Sequence, residues 1–214
     1  MCIIYQFNAP SSDSEMKSPS STFAVIPEYF PSKILVSRIM TTNSWGLSLK
    51  TPYQRQTFQN RTRIRLPDGC HWLSVPVKKK ERGTFLHEIE IDYTYPWVQD
   101  HLKGLRYNYA TTPYYDHYAP SIAALLRRDY TYLHELTSET TKWMVSALGI
   151  KTLFGPSELD SSALSQSPFP HKQPTIQFPA YRQNFPGYEP EAGSLDLLLN
   201  HGPASLQYLI PLND

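Results

Sequence analysis

In the stretch Trp97-Val-Gln-Asp-His101 the spacing puts an indole and an imidazole on one face of a helix. A histidine so placed titrates in the range of a general acid or base. The structural alternative is a half-buried ring bonded to a backbone carbonyl. Near the other end of the chain, Ser194-Leu-Asp196-Leu-Leu-Leu-Asn200-His-Gly-Pro203 sets Asp196 and Asn200 one helical turn apart. Two polar groups at that spacing can hold a ligand or a metal-bound water, or bond a neighbouring loop. From Arg55 to Arg82 the basic residues Arg55, Arg61, Arg63, Arg65, Lys78, Lys79, Lys80 and Arg82 face only Asp68 and Glu81. The planar guanidinium fork suits phosphate or carboxylate. For Arg63, Arg65 and the lysine run the alternative is a solvated face neutralised by Glu88, Glu90 and Asp92. Tyr107, Tyr109, Tyr114, Tyr115 and Tyr118, with Pro113 and His117, offer ring faces with hydroxyl tips. These suit sugars or bases, or line a core.

The elements that must position these groups follow from periodicity. Residues 1–8 read as a short strand. Residues 10–22 are rich in Ser and Pro and read as a flexible insert. A strand at 23–26, a helix from Ser32 to Thr41 with Ile34, Leu35, Ile39 and Met40 on one stripe, and a strand at 45–49 form a βαβ unit. Arg61–Leu66 alternates, with Arg61, Arg63 and Arg65 on one side and Thr62, Ile64 and Leu66 on the other. Pro67-Asp68-Gly69 supplies the turn, and Cys70–Val77 returns. Phe85–Asp92 alternates as a further strand. After residue 95 the period becomes helical, with helices expected from Trp97, at 120–128 with Pro120 in the first turn, and at 131–148 ending at Gly149. Residues 155–180 read as a long loop. Ser194–Asn200 reads as a helix with a serine cap, and Pro203 starts a last turn. Strands first and helices second predict an α+β or mixed α/β fold: a strand-rich N-terminal half with a basic hairpin, and a helical C-terminal half, in one compact domain.

Composition narrows the function classes. The 214 residues carry a net charge of +1, which argues against a globally basic nucleic-acid binder. Cys2 and Cys70 are too few for a disulfide scaffold or an all-cysteine zinc site. No run approaches the ~18 apolar residues of a membrane span. The opening MCIIYQFNAP lacks the basic and apolar regions of a signal peptide, so a cytoplasmic location is expected. G-x-G-x-x-G, the Walker phosphate loop, G-x-S-x-G, H-E-x-x-H and C-x-x-C are all absent. The 19 prolines imply a loop-rich chain.

Taken in order, Tyr29-Phe-Pro31, Tyr53-Gln-Arg-Gln56, Asn60-Arg61-x-x-Ile64, Gly69 and Leu73-Ser-Val-Pro-Val77 resemble the opening of the WbqC-like family. Trp97-x-x-x-His101, Tyr107, Pro113-Tyr-Tyr, Tyr118, Leu148-Gly-Ile150, Tyr181-x-Gln183 and Ser194–Pro203 continue it. The resemblance covers roughly residues 23–210, leaving 1–22 as an N-terminal strand and insert before a WbqC-like domain at 23–214. It implies a role beside bacterial surface-polysaccharide (O-antigen) genes, with glycine or other acyl transfer to a sugar suggested for some members. It brings no agreed catalytic residue, but it raises Asn60, Arg61, Trp97, His101, Tyr107, Asp196 and Asn200. The chain departs from the pattern at Leu49-Lys50-Thr51-Pro52, where members carry an acidic residue. That departure weakens any mechanism that needs a carboxylate there.

The expected activity is a cytoplasmic transferase acting on a nucleotide-activated or lipid-linked sugar. His101 would be the base, and Asp196 would orient it or contact the sugar. Arg55, Asn60, Arg61, Trp97, Tyr107 and Asn200 would bind substrate. No metal or cofactor is expected. The expected partner is a small anionic or nucleotide-sugar molecule, with neither nucleic acid nor a membrane span involved. The alternatives are a non-catalytic module for an anionic or sugar ligand, and an inactive family member.

Overall fold

Phe23-Ala-Val25 is apolar and β-prone, and it forms the first strand, β1. The chain then turns through Glu28 and Pro31 into helix α1, Lys33–Met40. Ser32 caps α1: its hydroxyl accepts from the Leu35 N–H at 3.2 Å, and its own N–H donates to the Glu28 carboxylate at 2.7 Å. Strand β2, Ser44–Leu47, returns parallel to β1 with Phe23 opposite Trp45. Val25, Leu35, Ile39, Trp45 and Leu47 close a small core between α1 and these strands. The computed structural model describes residues 22–79, 83–155 and 176–212.

The antiparallel hairpin consists of β3, Arg61–Leu66, and β4, Gly69–Ser74, paired from Arg61 opposite Ser74 to Leu66 opposite Gly69. Gly69 turns the chain with φ of 135°. Pairing runs one step beyond β4, where the Val75 N–H donates to the Asn60 carbonyl at 2.7 Å, and Pro76 has no N–H to extend it. Three helices follow: α2, Trp97–Tyr109; α3, Tyr115–Leu126; and α4, Leu133–Ala147. Gly149, with φ of 69°, ends α4. Strand β5, Leu153–Phe154, then joins the parallel sheet in the order β1-β2-β5. Helix α5, Ser194–His201, is buried over most of its length and runs into a 3₁₀ segment, Gly202–Leu209. The main core joins Ile64 of the hairpin to Trp97, Leu105 and Tyr109 of α2, Leu133 and Leu136 of α4, and the α5 leucines. The fold is α+β.

Several elements differ from the sequence reading. Phe85–Asp92 is not a strand. Leu86–Glu88 forms one 3₁₀ turn, and among the described residues only isolated bridges pair this stretch: Pro52 with Phe85, Val77 with Ile91 and Glu90 with Tyr132. Its alternation reflects single buried anchors, Leu86, Ile89 and Ile91, rather than a ladder. Helix α3 starts five residues before Pro120, which lies inside it on the exposed side. The carbonyl its ring leaves unpaired, that of the exposed Asp116, can be hydrated. Gly193 rather than Ser194 is the α5 cap, because the Ser194 hydroxyl donates to the Pro31 carbonyl. Glycine is required there: a Cβ would meet the Arg63 carbonyl oxygen at 2.8 Å. The strand expected at 1–8, the insert up to residue 21 and loop residues 156–175 lie outside the described residues.

Candidate functional site

Between β2 and β3 the chain follows an irregular path from Ser48 to Asn60. Its outer half, with the segment after β4, borders an open, shallow cavity of about 340 Å³ lined by Tyr53, Arg55, Gln56, Asn60, Val77 and Lys79. Gln56 adopts φ of 60°, one of two left-handed non-glycine residues among those described. Strained backbone of this kind persists where the surroundings over-determine it, and it clusters at ligand sites. Asn60 sits where the loop enters β3. Its side-chain amide donates to the Val75 carbonyl at 3.1 Å, while its Oδ1 is buried with no partner. A buried acceptor left unpaired is costly and calls for a donor.

The charge around this cavity is one-sided. Arg55 and Lys79 line it, and Arg61 follows Asn60 directly. The Arg61 guanidinium donates to the Gln56 carbonyl and lies 3.9 Å from the centre of the Trp72 ring. Its Nε is buried and unpaired. Arg63 lies 4.4 Å from the same ring but is paired with Glu191. Tyr53 is pushed up to about 12, mainly by burial, so its hydroxyl is a neutral donor at working pH. Among the described residues no carboxylate and no imidazole lines the cavity. Such a site can bind anions and hydroxyl-bearing groups.

His101 lies behind this wall. It is 5% exposed, packed edge-on against Trp97 at 5.2 Å, and hydrogen-bonded through Nδ1 to the Tyr29 hydroxyl at 2.9 Å. Burial lowers its pKa to about 4, against the opposing effects of the Ser74 backbone and Asp100. Its imidazole is therefore neutral near pH 7. Trp97 is 1% exposed and serves as core between His101 and Tyr93.

Asp196 occupies a second network. Its carboxylate accepts from the Tyr109 hydroxyl at 2.8 Å, the Tyr181 hydroxyl at 2.6 Å and the Gln183 amide at 3.2 Å. Burial raises its pKa, and these three donors oppose the shift. Asn200 donates back to the Asp196 carbonyl at 2.8 Å, so it serves its own helix. The expected contact of Asp196 with His101 is not formed. His101 and Tyr109 are eight residues apart on α2, about 12 Å along the axis, and Asp196 meets the Tyr109 end. Tyr107 projects from α2 into solvent, 77% exposed, with the Lys103 ammonium over its ring.

The structure thus gathers Arg55 and Asn60 at the cavity with Arg61 beside them. It places His101 and Trp97 behind, and Asp196, Asn200 and Tyr107 elsewhere. Arg65 is not on a solvated face: it is 3% exposed, and its guanidinium donates to the carbonyls of Leu66, Gly69 and Pro186. Tyr53, Gln56 and Lys79 were not among the expected site residues. Nothing periodic marks the 48–60 path, and Lys79 reads as part of a solvated run. Among the described residues no group of three or more His, Cys, Asp or Glu side chains is placed to hold a metal ion. No helix among them is long and apolar enough to cross a membrane.

The sequence model of the WbqC-like protein family matches residues 27–168. A curated relative, the uncharacterized protein Rv1507c of Mycobacterium tuberculosis (strain ATCC 25618 / H37Rv), is 31% identical over 102 residues, 47% of this chain and 44% of that one. The chain spans less than half the length of the curated relative it matches. No solved structure matches the chain.

Proposed function

The chain belongs to the WbqC-like protein family, and on that premise we propose that it binds the anionic end of an activated sugar in the cavity formed by Tyr53, Arg55, Gln56, Asn60 and Lys79. The observation that carries this reading is a lining that sets Arg55 and Lys79, neither with a carboxylate partner among the described residues, beside Asn60. The cations suit a phosphate or carboxylate, and the neutral Tyr53 hydroxyl suits a sugar hydroxyl. Among the described residues the lining holds no carboxylate or imidazole, which favours binding over turnover. The role fits a place in surface-polysaccharide assembly. Thermal unfolding of the full chain with a panel of phosphorylated sugars tests it. A ligand at 100 times its dissociation constant raises stability by about 2.7 kcal/mol. Asn60→Asp should abolish that shift and Arg55→Gln should cut it to about half. If no phosphorylated or carboxylated sugar shifts the wild type, the reading is lost.

A second reading, a transferase, is favoured by His101, a neutral imidazole held at Ser74, one residue before the strand position that anchors Asn60. In that case His101 takes the proton of an attacking hydroxyl or amine. His101→Gln would then abolish turnover and leave ligand binding intact. Turnover unchanged by His101→Gln would remove the histidine from the reaction.

A further inference from the structure

We infer that the anionic group the cavity takes is a diphosphate, not a single phosphate or a carboxylate; this deepens the binding reading above and rests on it. Uncompensated positive charge marks this side of the hairpin. Of the cations on this side of the hairpin, Arg63 is paired with Glu191 and Lys78 with Glu90. Arg55, Arg61 and Lys79 have no carboxylate partner among the described residues. Arg55 and Lys79 line the cavity and Arg61 stands beside it, so an entering anion relieves the repulsion among them. A carboxylate carries one negative charge and a phosphate monoester nearly two on a single centre, whereas a diphosphate spreads its charge over two linked centres, about two charges as the diester of an activated sugar and about three as a terminal group.

The arrangement of the donors agrees. Arg55 and Lys79 belong to different segments of the lining, and the Arg61 guanidinium is parked on Trp72 and the Gln56 carbonyl. Neither contact of Arg61 is an ion pair, so the side chain is free to exchange them for an incoming anion. Three separate cationic groups converge more naturally on two linked phosphoryl groups than on one. At about 340 Å³ the cavity is at the small end of ligand sites, enough for a charged headgroup with the remainder of the molecule outside. Two sources share this chemistry: a nucleoside diphosphate and an isoprenoid-linked diphosphate.

Calorimetric titration of the full chain at fixed ionic strength tests the inference, using inorganic pyrophosphate, inorganic phosphate, uridine diphosphate and geranyl diphosphate. Pyrophosphate should bind at least about tenfold tighter than phosphate, and each of Arg55→Gln, Arg61→Gln and Lys79→Gln should weaken it by about tenfold. Lys103→Gln, on the exposed side of α2, should leave it unchanged. Amide shifts at Gln56 and Asn60 locate the binding. Uridine diphosphate tighter than geranyl diphosphate assigns the nucleotide source, and the reverse assigns the lipid source. Equal affinity for phosphate and pyrophosphate overturns the diphosphate while leaving the cavity reading standing. Phosphorylated sugars that bind without shifting Gln56 or Asn60 overturn the cavity itself.

Discussion

The Arg65 backbone N–H and the Asp196 carboxylate are joined through a single atom. The Tyr109 hydroxyl accepts from Arg65 at 2.7 Å and donates to Asp196 at 2.8 Å. This bridge ties β3, the strand that leads out of the cavity, to α5 near the end of the described chain. A second tie runs parallel to it, the Gly193 N–H donating to the Arg63 carbonyl at 3.0 Å. The C-terminal segment therefore holds the hairpin at two points of β3, Arg63 and Arg65.

Tyr109→Phe keeps the ring and removes the bridge. It leaves a buried backbone donor and one carboxylate oxygen each without a partner, and should cost about 3 kcal/mol. Urea unfolding of the variant measures it. A loss below about 0.5 kcal/mol would mean that water replaces the hydroxyl and that the bridge does not hold the strand.

Glu28 gives the fold a pH dependence of definite sign. Its carboxyl is 3% exposed, and burial pushes it up to about 7 despite the Ser32 hydrogen bonds. Between the unfolded value near 4.5 and about 7, the folded state holds a proton that the unfolded state has lost. Stability contributed by this group therefore falls as pH rises through that window. Glu28→Gln should remove that dependence and stabilise the fold at pH 8 by roughly 2–3 kcal/mol. Unfolding free energies at pH 5 and 8 for both proteins decide it, and parallel pH profiles would refute it.

His101 acts in the opposite sense. Its folded pKa of about 4 lies below the ordinary 6.5, so between these values the unfolded state binds the extra proton. Stability should rise with pH across 4 to 6.5, and acid should unfold the protein by charging this ring. His101→Gln should flatten that limb. A proton NMR titration showing the ring charged at pH 6 in the folded state would contradict the assignment.

Gln56 stores strain at the cavity. Glycine adopts its φ of 60° without penalty, so Gln56→Gly should stabilise the fold by up to about 1 kcal/mol. The same change removes a lining side chain and should weaken the sugar-phosphate ligand. Stability and affinity moving in the same direction would separate the strain from the site.

At Gly202, with φ of 55°, a Cβ would lie 2.3 Å from the Tyr114 ring. Gly202→Ala should therefore cost more than the ordinary effect of a glycine substitution, about 2 kcal/mol or more. Tyr114→Ala in the same chain should recover part of it. Full independence of the two changes in a double-mutant cycle would show that the ring is not the obstacle.

What the amino-acid sequence determined by itself is what short-range periodicity and turn chemistry control. The hairpin from Arg61 to Ser74 is legible because β-alternation and Pro67-Asp68-Gly69 act within a few residues. The βαβ start, α4 ending at Gly149, and the ordered motifs that identify the family are legible for the same reason. Tertiary structure decided the rest. Arg65 alternates with Arg61 and Arg63, yet it is buried because Gly69 and Pro186 happen to present carbonyls to it. Phe85–Asp92 alternates without a partner strand along its length, since pairing depends on what the fold places beside it. His101 and Asp196 stand together in a list of polar residues, but they bond different partners at different ends of α2. The cavity is lined from the 53–60 path and from Val77 and Lys79, which no local pattern connects. Only the closed chain sets Asn60 beside three cations that have no carboxylate partner among the described residues, because burial and charge compensation are sums over neighbours distant in sequence.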